Sequence, residues 1–540
     1  MTSVRRDESN VYRFDCIDVP MPKYNILSYT WGRWRVDGAD CPALPVIGTP
    51  WKIPAVEASH FSVDAFQKVL HKVTADPDVE WAWVDVGCID QRNNGETAQE
   101  IGRQASIFKQ AQKPFVWLSH LCNADLSSAV HDMQIYGLKL RDFIDQPSPK
   151  LDLEHIACKL HKALKFIFSD PWFSSLWTLQ EVVLRNDAVV LSAEGEPVVW
   201  DYEPRLQYMF LTLFINFCQN VYQDLEMVER PLSLSSLPVD RSKVAETIRG
   251  MKEIILHAGF YYLFSRNPNV QYGTARYRKT SNDVDRIYAI MQIYNIQVGK
   301  SLRPDENPTL EKLLDEFAGA INHQSAILGQ FFLHTDAPDR GKSWRITEKS
   351  TVPDPLMEYQ QPNDCCTIAL NINQDDNAAG AAVVHASGKC CQFSDLLKIA
   401  TEAGMREGPM FNNGWGLNLE ILFDHHVQGS ITNNFPHDMP RIPSMRVLGT
   451  TPDSARIEQE NIWVLLLGDI KGPYYARLNI FCRKNIGLLI HRTDWENENK
   501  DWTHSAHKRL GVCMWTAYEA WEHRMLERIL WHDVVDLELQ

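Results

Sequence analysis

The chain has 540 residues, so at roughly 150 residues per domain it is expected to hold two to four packed units. Hydrophobic residues at 44% and charged residues at 23% exclude a wholly disordered, collagen-like or coiled-coil chain. A net charge of −15 repels phosphate backbones and argues against nucleic acid as a partner.

The N-terminus, MTSVRRDESN, lacks the apolar core of a secretory signal, and the greasiest runs, Met209 to Cys218 and Ile462 to Leu467, fall short of the roughly 20 apolar residues of a membrane span. A cytoplasmic chain with no membrane span is expected. The 12 cysteines form no CxxC, and the adjacent pairs Cys365/Cys366 and Cys390/Cys391 read as reduced thiols.

In chain order, Tyr24 to Trp31 reads as a strand and Trp81 to Ile89 as a second, both rich in aromatic and β-branched residues. Ile101, Ala105 and Phe108 mark a helix face between 96 and 112, and Phe115 to Leu118 is a third strand. Helical spacing returns from Leu153 to Phe168. Asp170 and Pro171 then supply an N-cap and first-turn proline for a helix running to about Leu184, and Val189 to Leu191 reads as a last strand. Strands separated by helices predict a parallel sheet, whose ligands gather at the carboxyl ends of the strands. Beyond about 200 the spacing is helical, through Ala245, Ile248, Ile255 and Ala258, then Ile287, Ile290 and Met291, then Leu310, Leu313, Leu314, Phe317 and Ile321. From about 350 short β-like runs appear, and a closing helix is read through Met514, Tyr518, Trp521, Met525 and Ile529.

Several motifs fail. Gly299-Lys300-Ser301 and Gly341-Lys342-Ser343 lack the leading glycine of a phosphate loop, because Tyr294 and Asp336 stand in its place. Asp424, His425, His426 and His437 have no metal-site spacing and read as a solvated loop; no metal is expected. GxSxG is absent from the sequence.

Three segments stand out together: Leu27-Ser28-Tyr29-Thr30-Trp31-Gly32, Asp85-Val86-Gly87-Cys88-Ile89-Asp90-Gln91 leading to Glu96, and Trp172-Phe173 with Trp177-Thr178-Leu179-Gln180-Glu181. In this pattern the chain resembles the HET (heterokaryon incompatibility) domain family of fungal proteins. The resemblance runs on through Asp283-Val284-Asp285-Arg286-Ile287-Tyr288-Ala289 and Arg303-Pro304-Asp305, and it thins beyond 350. Asp90, Glu100, Gln104 and Ser119 depart from the family pattern.

HET domains are in turn similar to TIR domains, the flavodoxin-like modules of innate immunity and cell death. The resemblance implies an α/β fold with a flavodoxin/TIR-like parallel-sheet domain over 1–195, and the spacing beyond it reads as a helical region over 196–345 and a mixed α+β C-terminal region over 346–540. Trp177 and Glu181 keep the W-x-x-x-E spacing of the TIR helix whose glutamate is catalytic in NAD-cleaving members, which makes Glu181 the candidate catalytic residue.

The residues direct attention to the same carboxylate. On one helix from Pro171, Phe173, Trp177 and Glu181 fall at i, i+4, i+8, so Glu181 shares a face with two aromatics and must be paired or open into a cleft. Cleaving the nicotinamide–ribose bond builds oxocarbenium-like charge, which a carboxylate stabilises. Trp31 or Trp177 is placed to stack a flat ring, Arg33 and Arg35 to meet a pyrophosphate, and Ser28, Tyr29, Gly32, Asp85 and Gln91 to line the pocket. Each has a plain structural alternative. Glu181 can pair with an arginine, the tryptophans can pack in the core, Ser28 can bond backbone, Asp85 and Gln91 can order a loop, and the arginines can be solvated.

Read this way, the chain is a HET-domain protein of a fungal self/non-self or programmed cell-death response. It takes an NAD-type dinucleotide as substrate, not as cofactor, and acts as a homo-oligomer or with other cell-death signalling proteins. The alternative is a non-catalytic scaffold that signals through protein contacts.

Overall fold

Tyr24, Asn25, Ile26, Leu27 and Ser28 are all buried in the computed structural model, the mark of a strand covered on both faces at the centre of a parallel sheet. The structure describes residues 4–5, 11–12, 22–36, 44–47, 49–75, 78–79, 81–90, 95–146, 152–202, 205–232, 241–371, 382–406, 418–425, 445–448, 462–475, 480–492, 506–516 and 527–540. It divides into two units, one of residues 1–264 with 274–310 and the other of 265–273 with 311–540.

The largest sheet of the first unit holds β1 (Val4–Arg5), β2 (Tyr24–Ser28), β3 (Trp81–Trp83), β4 (Pro114–Trp117) and β5 (Val189–Leu191) in the order β1-β3-β2-β4-β5. The four strands from β3 to β5 are parallel, and β1 joins antiparallel at the edge. From β2 the chain steps outward to β3, then crosses back to β4 and β5. The order therefore reverses between β2 and β4, and a ligand crevice is expected outside their carboxyl ends. The expected parallel sheet is present.

Helices Gly95–Gln110, Leu153–Ile167 and Leu176–Leu184 fall close to the expected positions. Asp152 caps the second of these by accepting the His155 N–H at 3.2 Å. The structure adds two helices that the sequence reading leaves out, Val63–Val73 and Asn123–Asp145.

Two expected strands are shorter. Tyr24 to Trp31 is extended only to Ser28 and continues into a 3₁₀ turn, Gly32–Trp34. Trp81 to Ile89 is a strand only to Trp83, because Asp85 takes the Val86 N–H at 2.7 Å and starts a helical turn, Asp85–Cys88. The helix expected from Pro171 is also broken. Asp170 caps a 3₁₀ turn, Pro171–Ser174, and Ser175 is extended at φ −79°, ψ 139°, before the helix Leu176–Leu184 begins. Phe173 therefore leaves the shared face, and only Trp177 and Glu181 remain on it.

Helix Arg241–His257 ends on Gly259, whose φ of +78° suits a residue without Cβ. An added Cβ would sit 2.7 Å from Thr274 Cγ2. Gly259→Ala is expected to cost about 1–2 kcal/mol, read as a lower denaturation midpoint at unchanged slope.

In the second unit, Ile462–Tyr475, Ile480–Arg492 and Ala506–Thr516 pair antiparallel in succession within a nine-stranded sheet. Val383–Gln392 joins Ile462–Tyr475 to His532–Leu539. Residues of helix Phe393–Arg406, among them Leu396 and Leu397, share a core with Leu419, Ile421 and Val464. The closing helix read from Met514 is corrected. Met514 lies in the strand Ala506–Thr516, which is buried on both faces from Arg509 onward, and Ile529 sits in a turn. Tyr518, Trp521 and Met525 lie outside the described residues. Asp424 is no solvated-loop residue either. It is fully buried, accepts the His334 N–H at 2.8 Å, and pairs with buried Arg509 at 3.2 Å. His425 is exposed, and His426 and His437 lie outside the described residues. Among the described residues no helix is long and apolar enough to cross a membrane, and no group of three or more His, Cys, Asp or Glu could hold a metal ion.

Candidate active site

Strand β2 ends at the point where the sheet order reverses, and its last residue, Ser28, holds the centre of the site. The indole N–H of fully buried Trp172 donates to Ser28 Oγ at 2.7 Å, and Ser28 in turn donates its hydroxyl to Glu181 Oε2. Ser28 Oγ thus accepts the Trp172 N–H and keeps its own proton to offer the Glu181 carboxylate.

Glu181 is partly buried and lines a cavity of about 250 Å³. Trp31, Arg33, Asp85, Trp177 and Asp285 share its walls. Burial first, and the neighbouring Asp85 charge next, push the Glu181 pKa up to about 8, against the Ser28 hydrogen bond, which lowers it. At neutral pH this places the carboxyl mostly in its neutral form.

Asp85 accepts the Trp31 indole N–H at 2.6 Å and its own loop's Val86 N–H at 2.7 Å. Burial raises its pKa despite both bonds. Buried Tyr29 lies within the field of Asp85, which adds to the effect of burial in holding the phenol protonated. Across the cavity, Trp177 Nε1 and Thr280 Oγ1 both donate to Asp285 Oδ2, at 3.2 and 3.0 Å. Burial raises the Asp285 pKa too.

Of the residues singled out in the sequence, Tyr29, Trp31, Gly32, Arg33, Asp85, Trp177 and Glu181 line this one cavity. Ser28 lies behind Glu181 as its hydrogen-bond donor. Gln91 lies outside the described residues. Trp83 and Trp117 are core residues, as the plain alternative holds.

The structure also brings in residues that the sequence reading does not use for the site. Arg278 is buried with no acid beside it among the described residues; its Nη1 donates to the Trp172 and Ser175 carbonyls and to Thr178 Oγ1, each at 3.1 Å, and its Nη2 to the Ala258 carbonyl. It ties the 3₁₀ turn to the start of the Glu181 helix. Burial lowers its pKa to about 9, which leaves it charged at neutral pH. Trp34 stacks on buried His60 at 3.8 Å and 7°. His60 bonds the Thr30 carbonyl through Nε2 and His120 through Nδ1, so Nε2 carries the proton, and burial holds its pKa down at about 4. No spacing in the sequence marks Trp34, His60 or Arg278; Asp285 carries a signal, since it falls in the quoted 283–289 segment.

Next to this cavity lies an apolar one of about 380 Å³, lined by Ile53, Val56, Phe61 and Phe66 and sharing Tyr29 and Trp31. Both cavities belong to the first unit.

Residues 24–181 match the family model described as Heterokaryon incompatibility protein (HET). The match begins at the first residue of β2 and ends at Glu181. It covers less than a third of the chain. No curated protein and no solved structure matches the chain.

Proposed function

We propose that the chain serves a fungal self/non-self recognition or programmed cell-death response, and that its N-terminal TIR-like domain, residues 1–195, hydrolyses NAD-type dinucleotides at the nicotinamide–ribose bond through Glu181. The observation that carries the reading is the Glu181 carboxyl, bonded to Ser28, with no arginine paired to it among the described residues, and lining a cavity walled by Trp31 and Trp177. A Glu181 sealed against an arginine in the core would have favoured the non-catalytic scaffold.

In this mechanism the C1′–N bond breaks and its electron pair leaves with nicotinamide, which departs neutral. Positive charge develops on the ribose, and Glu181 as carboxylate stabilises it. Water adds to C1′ and loses a proton, giving ADP-ribose. Trp172 and Ser28 hold the carboxyl in place and do not exchange atoms with substrate.

The cationic nicotinamide ring brought beside Glu181 favours its charged form. Binding therefore expels the proton that burial keeps on the carboxyl. A non-cleavable carbocyclic NAD analogue is expected to release up to about one proton per molecule bound at pH 7, and progressively less as the pH passes about 8. Titration calorimetry in buffers of different ionisation enthalpy reads this number, and Glu181→Gln abolishes it. Binding without proton release by the wild type would remove Glu181 from the reaction centre.

A further inference from the structure

Two cations converge on this cavity from distant parts of the chain. Arg33, just past β2, is half-buried; its guanidinium lies 4.7 Å from the Trp34 ring and reaches Ser174 Oγ at 3.4 Å. Lys279 meets the same serine through its backbone. Its N–H donates to the Ser174 carbonyl at 2.7 Å, and its carbonyl accepts the Leu176 N–H at 2.9 Å, so a parallel bridge to Ser175 fixes its backbone. Arg33 and Lys279 line the cavity that Glu181 lines.

Among the described residues neither cation has an acidic partner within ion-pair distance. The acids of the cavity are engaged elsewhere: Asp85 with Trp31, Asp285 with Trp177 and Thr280, Glu181 with Ser28. Burial raises the pKa of all three acids. A half-buried guanidinium without a counter-ion is costly, and a bound anion offsets that cost.

We infer that Arg33 and Lys279, with the neighbouring Thr280 and Ser281, form an anion site that takes the diphosphate of the dinucleotide. The inference rests on the reading of Glu181 as the reaction centre. It adds that the site is completed by residues 279–281, which lie beyond the 24–181 match. An arginine and a lysine that both meet Ser174 and line one cavity suit two adjacent phosphates, the guanidinium through forked N–H groups and the ammonium as a point charge.

The test uses the full chain and two independent readouts. ADP carries the diphosphate and no scissile bond, so its binding by calorimetry does not depend on cleavage. Nicotinamide riboside carries the scissile bond and no phosphate. Lys279→Ala and Arg33→Ala are each expected to weaken ADP about tenfold or more, to raise the NAD KM far more than they lower kcat, and to collapse the preference for NAD over nicotinamide riboside. Lys279→Arg keeps the charge and is expected to retain ADP. Lys279 is exposed, and matched thermal melts establish that the variants fold. ADP binding weakened by Lys279→Ala in a chain that does not cleave NAD would uphold the anion site and remove the hydrolase reading. NAD cleavage with the preference unchanged in Lys279→Ala, or wild-type protein that does not bind ADP, would overturn the anion site.

Discussion

Arg278→Met is expected to lower the stability of the N-terminal unit by about 3 kcal/mol and to abolish the order of the site with it. Two effects oppose one another. Removing a buried cation without an acid partner relieves a desolvation cost, which the pKa held down at about 9 reflects. Against this, three backbone carbonyls lose a donor. The Trp172 and Ser175 carbonyls keep the Thr178 hydroxyl, at 2.6 and 2.9 Å, whereas Ala258 loses its side-chain partner. The loss prevails because Arg278 also joins separate stretches of chain, the Pro171–Ser174 turn, the Glu181 helix and the end of helix Arg241–His257. Arg278→Lys is not expected to rescue, since an ammonium on a flexible stem cannot span the same carbonyls in one plane. Urea denaturation followed by tryptophan fluorescence measures both variants.

Glu181→Gln is expected to do two things at once: to remove NAD cleavage by about 10³-fold or more, and to stabilise the fold. The sign of the second effect follows from linkage. The folded-state pKa of about 8 lies above the ordinary value of 4.5, so between these pH values the folded chain holds a proton that the unfolded chain releases. Wild-type stability contributed by this group is fully present below pH 4.5 and is lost as pH rises to about 8, by at most about 1.4 kcal/mol per pH unit. Partial solvent exposure at the cavity lowers that slope. Gln binds no proton and keeps an oxygen for Ser28. The variant is therefore expected to match wild type near pH 4 and to exceed its melting temperature by a growing margin up to pH 8. An equal pH dependence in both proteins would mean that Glu181 is ordinarily solvated.

How much of this was legible in the sequence differs by element. The parallel sheet was readable because Tyr24–Ser28 and Pro114–Trp117 are short apolar runs flanked by turn residues and separated by helical spacing. The ends of those strands were less so. Asp85 turns the chain through a side-chain bond to the next N–H, and nothing in a run such as WAWVDVGCI marks that choice. Ser175 breaks the helix from Pro171 for a reason remote in sequence: Leu176 N–H pairs with the Lys279 carbonyl, more than a hundred residues on. The terminal strand was misread for a similar cause. Ala506–Thr516 is buried on both faces by its sheet neighbours, so its apolar residues show no alternation and Met514 falls into helical spacing by coincidence.

For the site, short-range pattern pointed to Glu181, Trp177, Trp31 and Asp85, and the cavity holds all of them. What pattern could not supply was the wall made by Lys279 and Thr280 and the support from Arg278, because these come together only through the fold. Trp172 was visible as a motif residue but not as the donor to Ser28. That role needs the strand end and the 3₁₀ turn to be side by side.

The most direct test is nicotinamide release from NAD by the purified full chain, over a range of protein concentrations, for wild type and Glu181→Gln in parallel. Release by wild type that rises with concentration and is lost in the folded Glu181→Gln protein is the predicted result. Equal release by both proteins, or none by wild type at any concentration, would contradict Glu181 as the catalytic residue of an NAD-cleaving domain.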